Sequence, residues 1–184
     1  MRIEQNELIE QLLKVTEDSL KATTDLKNVS PEVLNFKPDH NDWSVLECME
    51  HLNLYGDFYL PEIERCILNS PSLHEGILFK SSLIGDYFVN SIKATNQKKM
   101  KAPKMMTPET SQLSAITLDK FIKQLEKLKS LLYQAKKVNL TKNYTAISLT
   151  RIIKLRLGDT LRFIVYHNER HIRQAENVKA KACR

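Results

Sequence analysis

The chain has 184 residues, 42% of them hydrophobic and 27% charged, the composition of a globular protein with enough core to fold without staples. Only four glycines occur, Gly56, Gly76, Gly85 and Gly158, which argues against nucleotide folds built on glycine-rich loops and against sandwiches that need many tight turns. The net charge of +6, from 28 Lys+Arg against 22 Asp+Glu, suits an anionic metabolite; it is dispersed and carries no nucleic-acid recognition motif, so nucleic acid is set aside as a partner.

No apolar run nears the roughly 20 residues of a membrane span. The opening MRIEQNELIEQLL places acids and glutamines where a signal peptide has its apolar core. Cys48, Cys66 and Cys183 form no CxxC pair and no framework spacing, which reads as reduced thiols. The expectation is a cytoplasmic protein, without a membrane partner, forming one domain over residues 1–184.

Along the chain, Leu8, Leu12, Val15, Leu20 and Leu26 predict an amphipathic helix over residues 3–28. Ser30-Pro31 and Lys37-Pro38-Asp39 punctuate the connection that follows. Ser44-x-x-Glu47 is a capping box with Trp43 in the staple position. The second helix continues from it through Val45, Cys48, Leu52, Tyr55, Tyr59, Ile63 and Ile67, with Pro61 inside and Pro71 beyond its end. Leu83-Ile84, Tyr87-Phe88 and Ile92 predict a short helix. Residues 98–117 read as a long loop; its Lys98, Lys99, Lys101 and Lys104 form either a solvated segment or an anion-binding lid. Phe121, Leu125, Leu128 and Leu132 mark a third long helix over 118–138. A short extended stretch follows at 152–157, then Gly158-Asp159 as turn and N-cap, then a fourth long helix to about residue 179. The expected fold class is all-α: a four-helix bundle with a long connection between its second and third helices.

The sharpest chemical signal is His167-x-x-x-His171. Residues four apart stand one turn above the other on one helix face, where two imidazoles can chelate one divalent ion. By itself the spacing is weak, and a hydrogen-bonded pair satisfies it as well. Both histidines fall along the inward edge of the last helix, beside Ile164 and Val178. His51 falls on the inward side of the second helix, between Cys48 and Tyr55. Three neutral imidazoles would leave an ion its full charge and open positions for water or substrate, the pattern of a catalytic rather than a closed structural site. Glu47, one turn before His51, and Cys48, three residues before it, are candidates for a base and for a nucleophile or ligand. Capping for Glu47 and apolar burial for Cys48 are the competing readings. Trp43, Tyr55, Tyr59 and Tyr166 read as packing, and His40 and His74 fall in loops with no assigned role.

Several chemistries are excluded by residue. A zincin needs Glu directly after its first His, and Asn168 stands there. The ferritin-like di-iron pattern needs Glu-x-x-His, which does not occur. No GxSxG, P-loop or GxGxxG is present.

Trp43-Ser44-Val45-Leu46-Glu47 with His51-Leu52, and Leu157-Gly158-Asp159-Thr160-Leu161 with His167-Asn168-Glu169-Arg170-His171-Ile172-Arg173-Gln174, resemble the second and last helices of the DinB-like superfamily. The resemblance runs from the first helix to about Asn177. It implies an up-down-down-up four-helix bundle and a three-histidine divalent site, nickel or zinc, on His51, His167 and His171. Related groups include thiol-dependent transferases and isomerases that use a low-molecular-weight thiol. The implied function is a metal-dependent S-transferase or hydrolase acting on a small electrophilic substrate. The alternative is a non-catalytic metal-binding protein of stress response or interaction. A homodimer is the expected assembly.

Overall fold

The computed structural model describes residues 1–73, 77–93, 102–109, 113–148 and 150–183. Among these the chain is mostly helical, with two small antiparallel sheets, so the all-α expectation is corrected. The first sheet pairs β1 (Arg2–Glu4) with β2 (Leu78–Lys80), Ile3 standing opposite Phe79. Helix α1 (Gln5–Leu26) begins only after that strand, where the Glu4 carboxylate accepts from the Glu7 amide at 2.8 Å. Three-residue strands carry too few side chains to show a period, which is why the helix expected over 3–28 absorbed one of them.

A short helix, α2 (Pro31–Asn35), lies in the connection to α3 (Val45–Leu68). The predicted capping box opens α3: the Ser44 hydroxyl accepts from the Glu47 amide at 3.2 Å, and the Glu47 carboxylate accepts from the Ser44 amide at 2.7 Å. The long connection after α3 carries β2, then α4 (Leu83–Ile92), then a 3₁₀ turn at Lys104–Met106. His74, Lys98, Lys99 and Lys101 lie outside the described residues. Helix α5 (Ile116–Ala135) follows. The extended stretch expected at 152–157 belongs to β4 (Thr150–Arg156), which forms a hairpin with β3 (Tyr144–Ile147).

Helix α6 (Leu157–Ala182) starts earlier than predicted, with Arg156 at the cap position and no side-chain cap. Gly158 lies inside the first turn instead of before it, and glycine is needed there because a Cβ would meet the buried Phe79 ring at 2.4 Å. Asp159 is fully buried and fastens α4 to α6. It accepts from the Ser81 hydroxyl, from the Ser82 amide at 3.0 Å and from Arg162 at 3.1 Å, and Arg162 also donates to Asp86 at 2.9 Å. The expected N-cap is therefore a buried ion-pair anchor.

Each of the four long helices packs against two others: α1 on α5 and α6, α3 on α5 and α6. Ion pairs record their directions. Glu10–Lys136, Glu17–Lys129 and Lys27–Asp119 run α1 antiparallel to α5. Asp57–Lys120 and Glu64–Lys127 run α3 parallel to α5. Ring contacts Tyr59–Phe163, Tyr55–His167 and His51–His171 run α3 antiparallel to α6. Such exposed pairs contribute little to stability, roughly 0–1 kcal/mol each; the buried leucine and isoleucine faces between the helices supply the core. No described helix is long and apolar enough to cross a membrane.

Candidate metal centre

The capping box fixes where α3 begins, and the helical repeat then sets His51 on its buried face. His167 and His171 rise from α6, one turn apart. Because α3 and α6 run antiparallel, His51 meets the α6 pair at one level. Ring centroids stand 5.1 Å apart for His51–His167, 4.5 Å for His51–His171 and 4.7 Å for His167–His171. One nitrogen from each lies within 4.8 Å of the others, and no other such group of His, Cys, Asp or Glu occurs among the described residues.

Hydrogen bonds set the tautomers. The Nδ1–H of His51 donates to the main-chain carbonyl of Met106 at 2.6 Å. The Nδ1–H of His171 donates to the Gln174 side-chain oxygen at 3.0 Å. Each bond leaves the Nε2 of its neutral ring as a lone pair. Burial holds the rings neutral: it lowers the pKa of His51 to about 4 and, with His51 and Arg170 nearby, that of His171 to about 3. Burial, followed by the charges of His171, His51 and Arg170, holds His167 well below the ordinary histidine value.

This donor set fits a divalent transition ion. His51 Nε2 lies 3.3 Å from His167 Nε2, and a tetrahedral ion with Zn–N of about 2.0–2.1 Å separates two donors by about 3.3–3.4 Å. With the His51 proton committed to Met106, His51 Nε2 can only accept, so either the His167 Nε2–H donates to it or a cation lies between the two nitrogens. His167 Nδ1 is buried and has no hydrogen-bond partner, while its Nε2 faces His51 Nε2. Three uncharged imidazole donors suit zinc, nickel or copper better than magnesium or calcium.

The DinB superfamily's family model matches residues 11–175. The chain belongs to the DinB superfamily. No curated protein and no solved structure matches it. In this DinB-superfamily chain the three histidines read from the sequence come together as expected, and the other candidates do not join them. Glu47 is held by the capping box and by Lys37, whose Nζ donates to the second carboxylate oxygen at 3.0 Å. Cys48 is fully buried among apolar side chains, and burial pushes its thiol pKa up strongly. Cys48 therefore has no thiolate to offer at neutral pH. His40 is exposed beside Asp39, away from the group.

A cleft of about 1170 Å³ opens on the histidines. Trp43, Tyr55 and Tyr59, expected only to pack, line it, while Tyr166 does not. Trp43 packs at a tilt against the site, its ring 4.7 Å from His51 and 5.8 Å from His171. Two supporting groups complete the arrangement. Gln174 was visible as the residue three beyond His171. The Met106 carbonyl was not, since a main-chain acceptor distant in sequence leaves no residue-type signal.

Proposed function

We propose that this chain is a divalent-metal-dependent enzyme in which His51, His167 and His171 hold the ion, built on a four-helix bundle of up-down-down-up order. The ion-pair ladders and ring contacts that set the helix directions support the bundle reading. The observation that carries the functional reading is the convergence of three neutral imidazoles, two buried and one half-buried, on the lining of an open cleft. A structural zinc site closes its fourth position with protein; three histidines facing a cleft leave positions for water or a small molecule. Such an ion supplies Lewis acidity that lowers the pKa of water or a thiol toward neutrality.

The chain's own residues do the rest. Met106 and Gln174 orient two of the imidazoles and fix their protons away from the ion. Tyr55, Phe163 and Trp43 set their rings against the histidines and give the site an apolar wall. The reaction class we propose, from the resemblance to thiol-dependent relatives of the superfamily, is S-transfer from a low-molecular-weight thiol, or hydrolysis, on a small electrophilic substrate; nickel and zinc are the ions we favour.

One observation favours a second reading, a non-catalytic metal-binding protein: Glu47, the candidate base one turn before His51, has both oxygens engaged. Elemental analysis of the purified chain, with His167→Ala and His171→Ala as controls, tests the metal site; stoichiometric metal retained in the double variant refutes it. A panel of thiols with monochlorobimane on metal-loaded protein separates the two readings. Metal-dependent thiol consumption supports the enzyme, and its absence across thiol and hydrolase panels supports the binding protein.

A further inference from the structure

The cleft is not uniform along its length. Reading down α6, Phe163 comes first, then His167 and His171, then Arg173, Asn177 and Lys181, all lining the same cleft. From Phe163 to His167 the rise is about 6 Å, and from His171 to Lys181 about 15 Å. Helix α3 runs the other way and agrees: His51 stands level with the α6 pair, and Tyr55 and Tyr59 lie at the Phe163 end. At that end Phe88 packs edge-on to Phe163, ring centroids 6.5 Å apart, and Tyr59 lies 5.5 Å from Phe163. One end is therefore a wall of rings, the other carries cations, and the histidines sit at the junction.

The charge balance is positive: among the described residues Arg170, Arg173 and Lys181 line the cleft with Asp42, and Glu169 pairs with Arg173. Arg170 donates to the Lys93 carbonyl at 3.2 Å, and Arg173 donates to Glu169 on the same helix at 2.7 Å. An ion on three uncharged ligands adds its own full charge at the junction.

We propose that the cleft takes an amphiphilic anion: an apolar, ring-sized body against Phe88, Phe163 and Tyr59, and an acidic group toward Arg173 and Lys181, with the bond to be altered lying over the histidines. The chemistry at the junction rests on the metal-dependent reading above; the binding selectivity does not. A neutral polar metabolite would leave the ring wall in water, and a cation would meet the positive end. A small ion such as phosphate would forgo the apolar half of the available burial.

Two fluorescent probes with nearly the same body test this: anilinonaphthalene sulfonate, and phenylnaphthylamine, which lacks the sulfonate. Both are titrated into the full chain, metal-free and zinc-loaded. The expected result is one saturable site per chain, filled by the sulfonate at least about fivefold more tightly than by the neutral amine. Arg173→Gln with Lys181→Gln, both at exposed positions, should weaken the sulfonate about fivefold and leave the amine within about twofold. At the other end, Phe88→Ala should weaken both probes about threefold or more. Ser91→Phe, which fills the cleft without removing a core side chain, should do the same. Equal affinity for the two probes, or sulfonate binding indifferent to the charge pair, overturns the anionic half. Binding indifferent to Phe88→Ala and Ser91→Phe overturns the apolar half. Because the metal-free chain is titrated as well, these outcomes are distinct from loss of metal or of turnover.

Discussion

Mild acid should destabilise the metal-free protein well above the pH at which carboxylates titrate. In the unfolded chain each histidine of the triad takes a proton near pH 6.5. In the folded chain burial lowers that value to about 4 for His51 and about 3 for His171, and holds His167 well below the ordinary value too. Between these limits the unfolded state binds more protons than the folded one, so stability falls as pH falls and is fully present only above about pH 6.5. At about pH 5.5 the unfolded chain gains roughly 1.4 kcal/mol from each histidine, or about 4 kcal/mol from three. This magnitude requires only that the folded values lie below about 5. A loss of that size is a large share of the 5–15 kcal/mol typical of a domain, roughly speaking. Urea denaturation of metal-stripped protein at about pH 7.5 and 5.5 reads it directly. His171→Gln, at a half-buried position, should cut the loss by about one third because one of three titrating rings is gone. Equal stability at the two pH values, or an unchanged loss in His171→Gln, would refute the account of three rings held neutral by the fold.

Three further outcomes follow from the packing. Gln174→Leu removes the acceptor of the His171 Nδ1–H and should weaken metal binding by about 10–100-fold, read by quenching of Trp43, the sole tryptophan, as copper is titrated in. Gly158→Ala brings a Cβ within 2.4 Å of the Phe79 ring and should cost about 1–3 kcal/mol in thermal or urea unfolding; an unchanged midpoint would mean that Phe79 has room to move. Of the three thiols, the exposed Cys183 should react with a disulfide reagent at once in the native protein, while the buried Cys48 waits for unfolding. Fast modification of Cys48 would reopen its candidacy as a nucleophile.

How legible these features were depended on the range of the interaction behind them. The start of α3 was readable because a capping box is written in residues three apart. The three long amphipathic helices around it were readable because a period of 3.6 repeats over many residues. The end of the chain was harder. Gly158-Asp159 has the residue types of a turn and cap, yet Gly158 is there to clear Phe79 and Asp159 to bind Ser82 and Arg162. Local propensity and a tertiary demand select the same residue types, and the sequence alone could not tell them apart. Strands β1, β2 and β3 were missed because each is stabilised by a partner distant in sequence or too short to show alternation.

The sequence by itself singled out the side chains of the candidate metal centre: His167 and His171 are tied to one another by helical geometry, and His51 is placed on a buried face by its distance from a capped helix start. Tertiary structure alone decided that the three would meet. That depends on α3 and α6 running antiparallel in the register that levels His51 with His171, and on a stretch of the long connection returning to set the Met106 carbonyl against His51. It also decided that Cys48 faces core, that Glu47 is occupied by its cap and Lys37, and that the cleft grades from rings to cations. Helix periodicity fixes direction within an element. Register and facing between elements are set by the summed burial of many side chains, and no local pattern records that sum.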